Sequence, residues 1–537
     1  MSLRRKADQF LRKLTHCSNT VSSSSFLVEQ NSGSYSTGWK WWLTTVAGGG
    51  IIFLAIFLDR FLLINTYNAP PGADPGNWLT FAWELGGKSI RLAEWVYPLL
   101  VPIILRGLLF FVEPLTALKY LGLSSWTVLG FAFFVMLRLT CKNLPAFIQI
   151  GISVLFALAG YHGEVYAWGG YPQLLGGAFL LVSITAFSIW LASGKLTWFI
   201  TSAAFSAGVI YTHHLMAGML PVFLIIIASW QMLFNMNQKT FIIIRNRSLL
   251  YIAVLGMLSV LAIPVYWKLW TSLSGNPTNP NQFLPSDALL MYRYVFHDSP
   301  ELWGILLIAA LLAAVTNAKN PLSGVVAALL LGSMLLVLIL WEVRVLLPLF
   351  IGIGFGTALV FERIWTSFPL GLSSQIRKGV ATITLAVLLI VILPQSRDWF
   401  TNAIDYYRVM DDDVQSALVW INTNTQPGEI VAASPRQPFG IGWWIEGFAL
   451  RPSIYATELK WLIIRQEREY AAIANTLFSE TTTSEQFIEI ILSQDIRWIL
   501  VDNQHQPRPI LSADHSGIIS PVYSNSKLTI YKVSRSQ

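Results

Sequence analysis

The stretch YPLLVPIILRGLLFFV, residues 97–112, decides how this chain is threaded through a membrane. It is sixteen residues long and carries Pro98, Pro102 and Arg106 inside it. A hydrocarbon layer of about 30 Å asks for a helix of about 20 apolar residues, and runs of this marginal length are often interfacial or re-entrant. If the stretch crosses, every later loop lies on one side; if it does not, every later loop lies on the other. The charges of those loops therefore distinguish the two threadings.

Apolar segments surround it on both sides. One runs over 41–63, ahead of it. Others follow near 121–137, 145–160, 174–193, 197–212, 215–234, 249–268, 302–316, 321–341, 345–361 and 379–394. With 97–112 left out of the membrane, the inner connections hold Arg138, Lys142, Lys195, Lys239, Arg245, Arg247, Lys319, Arg363, Arg377 and Lys378. The matching outer connections after the long first loop hold only Lys268 and Arg293. Lys and Arg in short loops stay in the cytoplasm, so the non-spanning reading is preferred. The expectation is a polytopic α-helical membrane protein with about 11 spans, its N-terminus in the cytoplasm. A long first outer loop covers 67–120, within a transmembrane unit of 41–394.

Composition agrees. The chain has 537 residues, of which 54% are hydrophobic and 12% charged, with a mean hydropathy of +0.54. Soluble domains carry about a quarter charged residues. The net charge of +7 would raise nucleic acid as a partner in a soluble protein. Here the orientation signal accounts for most of the excess, and no nucleic-acid partner is expected. Cys17 and Cys141 form no CxxC or metal spacing, and both fall on the inner side, where disulfides are rare. Residues 1–40 are basic and Ser-rich, with no apolar stretch before Trp41. They read as a polar cytoplasmic tail and not as a signal peptide.

From 395 to 537 the long apolar runs cease. DDDVQSALVWINTN (411–424) has the acids and spacing of a capped helix. EIVAAS, WILVDN and LTIYKV read as strands, and 459–478 and 483–493 as helices. The expectation is a small extracytoplasmic α/β domain with its own core. No phosphate-binding GxxxxGK[ST], dinucleotide GxGxxG, HExxH or GxSxG motif is present.

The polar residues of the outer loops are the candidates for chemistry. Asp74, in GADPGNW, is either an acid exposed at the membrane surface or the cap of a helix starting near Pro75, and local sequence favours the cap. YHGEVYAWGGYPQ holds His162, Glu164, Tyr171 and Gln173. A His and a carboxylate two apart could hold a divalent metal or orient a hydroxyl; the plain alternative is a tight turn with interfacial aromatics. His213 and His214 share a short turn, and adjacent residues on a helix point apart. Arg344, in WEVR beside Glu342, suits a phosphate, or else snorkels to headgroups.

At these residues the chain resembles the C-type glycosyltransferase superfamily, which includes oligosaccharyltransferases, protein mannosyltransferases and bacterial arabinosyl and aminoarabinose transferases. DPGNWLTFAWELGGKSI (74–90) looks like the family's acidic first loop and YPLLVP (97–102) like its Tyr-Pro element. GGYPQLLGGAFLL (169–181) and Arg344 before LLPLFIGIGFG are similar to other members. The family's paired first-loop acids are not evident around Asp74. The resemblance implies an inner-membrane enzyme moving a sugar from a polyprenyl-phosphate donor to an acceptor on the extracytoplasmic face, with inversion. Asp74 would be the base, and Arg344 with His213 or His214 would hold the donor phosphate. His162 and Glu164 would orient the acceptor or, with Asp74, hold a divalent metal. The alternatives are a transporter or flippase, and an inactive membrane scaffold. The resemblance leaves sugar and acceptor open.

Overall fold

In the computed structural model, residues 39–534 are described apart from 95, 159–160, 235–237, 274–299, 319, 341–342, 368–372, 437–439, 460–461, 463, 506–509 and 511–516. The expected cytoplasmic tail up to residue 38, Lys319, Arg293 and Glu342 lie outside the described residues. Among the described residues, eight helices are long and apolar enough to cross a membrane. The bent pair Ala146–Leu158 and Tyr161–Ala167, at 42°, makes a ninth span if counted as one. Two shorter apolar helices, Leu196–Thr212 and Glu301–Thr316, fall where spans were expected. The protein is a polytopic helical membrane protein with a small C-terminal sheet.

The 97–112 stretch forms only the nine-residue helix Leu100–Leu108. At 1.5 Å per residue this is about 14 Å, less than half a hydrocarbon layer. Pro102 lies in its first turn, where a missing N–H costs nothing, and the helix ends before the exposed Phe110 and Phe111.

A buried arginine holds the end of the Ala146–Leu158 helix. Leu158 is the last residue of that helix, and carbonyls of a last turn lack an intrahelical partner. Arg60 Nη2 donates to the Leu158 carbonyl, and Ser396 Oγ donates to it at 2.5 Å. Arg60 also reaches Ser396 Oγ at 3.1 Å and Asp59 at 3.2 Å, and lies 4.7 Å over the Phe400 ring. A charge at this depth is tolerated because backbone carbonyl, carboxylate and aromatic face surround it. Three helices are thereby tied at one point.

The last membrane helix runs from Ser374 to Tyr407, thirty-four residues without a break. The sequence boundary at 395 falls inside it. Residues 395–407 are polar on one face only; Phe400, Ala403 and Ile404 are buried on the other. Beyond it, Asp411 caps the Asp412–Asn424 helix through Val414 N at 2.9 Å, as the acids predicted. Strands β1 (Ile430–Ala433), β2 (Ser453–Tyr455), β3 (Ile496–Asp502), β4 (Ile519–Ser524) and β5 (Leu528–Val533) form one sheet ordered β2-β1-β3-β5-β4. The β1 pairings are parallel, and those of β5 antiparallel.

The sheet unit is seated on the first loop with no gap. Gly76 faces the backbone of Trp443 and Trp444; a methyl group there would lie 2.6 Å from the Trp443 carbonyl carbon. Trp444 Nε1 donates to Gly72 O at 2.9 Å, and Trp83 Nε1 to Gly447 O at 3.0 Å. Arg91 reaches Asn77 of the loop helix and Glu446 of the sheet unit, 3.7 Å away. One hydrophobic core runs through both parts, from Trp78 and Leu79 to Trp444 and Ile445.

Gly76→Ala is expected to cost about 1–3 kcal/mol through overpacking against backbone that cannot turn aside. Gly218→Ala, where a methyl group meets nothing within 4 Å, is the control. Thermal unfolding of the detergent-purified protein should fall for the first variant only. Equal melting temperatures would show that the seat on the first loop is not tight.

Candidate functional site

The first-loop helix Asp74–Glu84 follows Ala73, and no side chain caps it. Asp74 is its first residue, with Pro75 following, so its carboxylate is not the cap that local sequence favoured. It stands in the positive end of the helix dipole. Gly169 makes this position reachable. Its φ of +94° is open to glycine, and a methyl group there would lie 2.9 Å from Asp74 Cβ. Trp78, one turn on, donates from Nε1 to Gly169 O at 2.7 Å, locking helix and turn together.

Asp74 lines a narrow cleft, which together with the open solvent at its mouth spans about 670 Å³. Gln173, His213, His214 and Arg344 line it as well. Each has a local reason for its place. Arg344 sits on the single turn Val343–Val345, between membrane helices, and Gln173 Nε2 donates to its carbonyl at 2.7 Å. His213 is the extended residue between the Leu196–Thr212 and His214–Phe234 helices. Its Nδ1 accepts from Met216 N at 3.3 Å, which leaves Nε2 to carry the proton and act as donor. The His213 and His214 rings stack at 5.0 Å, and Tyr97 meets His214 edge-on at 5.5 Å. The expectation that adjacent histidines diverge fails because the helix breaks between them.

Three predicted residues do not join the cleft. His162 is buried with its ring edge-on to Phe156 at 4.5 Å, and Glu164 is buried and accepts from Tyr407 OH at 2.6 Å. The two-residue spacing placed both within the packed Tyr161–Ala167 helix. Tyr171 is also buried, 5.3 Å from the Tyr166 ring. Conversely, the sequence reading missed Trp78, Tyr97, Trp168, Trp443 and Glu467, all on the cleft wall. The last two come from the C-terminal unit. Glu467 accepts from Tyr455 OH at 2.8 Å and from Trp443 Nε1.

Enclosure by the cleft walls pushes the Asp74 carboxyl up to about 6; Arg344 pulls it down and Glu467 pushes it further up. Burial likewise raises Glu467, against the hydrogen bonds from Trp443 and Tyr455 that lower it. Of the residues named as candidate metal ligands, only Asp74 lines the cleft. Among the described residues no three His, Cys, Asp or Glu side chains converge on one point. The candidate ligands His162 and Glu164 are packed away from Asp74.

This arrangement, a membrane bundle with an acidic first-loop helix, a cleft at one end and a C-terminal sheet unit beside it, is a fold shared with several solved structures. The chain superposes on the Archaeoglobus fulgidus oligosaccharyltransferase, solved with a tethered acceptor peptide, at a TM-score of 0.58 and 11% identity, covering 94% of this chain and 75% of that one. Against ArnT from Cupriavidus metallidurans bound to undecaprenyl phosphate the TM-score is 0.54 at 10% identity, covering 92% and 98%. Against the mycobacterial arabinofuranosyltransferase AftD it is 0.55 at 16%, covering 92% of this chain and 40% of that one. No sequence-family profile and no curated relative matches the chain.

Tyr407→Phe removes the hydroxyl that Glu164 accepts from. It is expected to lower stability by about 1–3 kcal/mol, read as a lower melting temperature of the detergent-purified protein. An unchanged melting temperature would show that this bond does not hold the helix in place.

Proposed function

We propose that the protein is a membrane glycosyltransferase that moves a sugar from a polyprenyl-phosphate donor to an acceptor hydroxyl, with Asp74 as general base. The observation that carries this reading is the convergence of one carboxylate, Asp74, with Arg344 and the His213–His214 pair in a single cleft at the end of a C-type bundle. The neighbouring structure solved with undecaprenyl phosphate supports the donor class.

The chemistry asks little of the protein beyond placement. A sugar phosphate already carries a good leaving group, so the needs are a base, positioning and charge stabilisation. Asp74 takes the proton of the acceptor hydroxyl as its oxygen bonds to the anomeric carbon. The bond from that carbon to the phosphate oxygen breaks, and its electron pair leaves with the lipid phosphate. Arg344, always charged and fork-shaped, and His213 through Nε2–H hold the oxygens on which that charge collects. Gln173 keeps the Arg344 turn in place. A single displacement inverts the anomeric centre.

The Lys/Arg bias supports an extracytoplasmic cleft and C-terminal unit. With Ser416→Cys and Lys195→Cys variants in a background without native cysteines, a membrane-impermeant thiol reagent should label the first and not the second in intact cells. Labelling of the Lys195→Cys variant alone would reverse the orientation.

Asp74→Asn keeps the size and removes the base. Transfer from a polyprenyl-phosphate sugar should fall by about a hundredfold or more, while purification and melting are unchanged. The base works only when ionised, so transfer in the wild type should climb as pH rises through about 6 and level above it. An Asp at its ordinary value near 4 would have levelled about two pH units lower. Full activity in the Asn variant, or a rate flat from pH 5 to about 8, would dismiss Asp74 as the base.

A further inference from the structure

The cleft is lined by two chemically distinct sets of residues. Arg344 and the histidines are cationic or neutral donors at the ends of membrane helices. Opposite in character are Glu467 and Trp443 from the C-terminal unit, with Trp78 and Trp168 from the loops beside Asp74. The proposed reaction occupies the first set and Asp74; it assigns nothing to the second.

Glu467 is fixed in one pose. Its Oε1 accepts from Trp443 Nε1 and, at 2.8 Å, from Tyr455 OH. Its Oε2 is sealed from bulk water and has no hydrogen-bond partner among the described residues. A carboxylate oxygen left so costs more than a neutral group would, unless a donor is delivered to it. The donor must be small and uncharged or positive, because Asp74 faces the same space and two acids repel an anion. The surrounding indoles offer flat apolar faces, and pockets of this kind bind by an aromatic surface with a few fixed polar groups. A sugar ring has both complements: a C–H face that lies on an aromatic ring, and hydroxyls that donate at its edge.

We infer that Glu467, with Trp443 and Trp168, forms the acceptor subsite, and that the acceptor is a saccharide whose hydroxyl donates to Glu467 Oε2. This rests on the glycosyltransferase reading and narrows its acceptor. The sheet unit would supply part of the substrate site as well as closing it.

The test uses the full chain in detergent and three acceptor probes: α-1,6-mannotetraose, α-1,5-arabinotetraose and an Asn-Ala-Thr hexapeptide, read by quenching of tryptophan fluorescence. Undecaprenyl phosphate serves as the donor-side probe. At least one tetrasaccharide should bind. Glu467→Gln, which keeps an oxygen for Trp443 and Tyr455 but turns the other position into a donor, should weaken it about tenfold or more. Its affinity for undecaprenyl phosphate should be unchanged, whereas Arg344→Ala should show the reverse pattern. Binding of neither saccharide, binding of the peptide alone, or an unchanged saccharide affinity in the Gln variant would overturn the inference. If the Gln variant also loses undecaprenyl phosphate, Trp168→Leu replaces it, with the same two outcomes. Saccharide binding without any undecaprenyl-phosphate binding by the wild type would instead remove the donor reading and leave the saccharide subsite standing.

Discussion

The structure hangs on how closely the backbone of the first loop approaches that of the C-terminal unit. At Gly76 against Trp443–Trp444, and at Gly447 against the Gly76 carbonyl, no side chain intervenes. That approach turns a loop acid and a residue nearly four hundred positions later into neighbours. Without it Asp74 would face water at its ordinary acidity, and Glu467 would be one acid among several on a polar helix. The indole hydrogen bonds from Trp444 and Trp83 fix the register of the contact, and Arg91 supplies its charge bridge to Glu446. Burial pushes the Glu446 carboxyl up to about 8, though Arg91 draws it down. The joint is therefore apolar packing first, with the ion pair adding direction.

The membrane part was legible because hydropathy is a sum over many residues and tolerates local error. Each expected apolar segment is helical over its described residues, and the Leu100–Leu108 helix stays too short to cross. The end of the bundle was not legible. In QSRDWFTNAIDYY the average is polar, yet the buried side of the helix continues through Phe400, Ala403 and Ile404. An amphipathic continuation and a domain start have the same mean hydropathy.

The site was legible where one residue's chemistry sufficed and obscure where facing mattered. Asp74, Gln173, His213, His214 and Arg344 meet. His162 and Glu164 had equal chemical promise, but they stand on a helix packed against Phe156, Phe350 and Tyr407. Spacing cannot tell which way a helix faces. A shift of a single residue in the helix start separates a capping Asp from a first-turn Asp, and sequence does not resolve helix ends that finely. Glu467 had no signal at all, because its role depends on a contact between segments far apart in the chain. The one hint was negative: the paired first-loop acids that the resemblance called for are not evident around Asp74.

The unbroken helix from Ser374 to Tyr407 makes the link between membrane and sheet unit a matter of angular phase. A flexible linker can gain or lose a residue at little cost. A helix cannot, since each added residue turns everything beyond it by about 100° and advances it by about 1.5 Å. One insertion before Tyr407 would point the seat for Gly76 away from the loop it must meet. Seven would restore the angle to within about 20° but raise the sheet unit by about 10 Å. Length changes in this protein are thus confined to its loops, and the helix acts as a ruler graded in degrees.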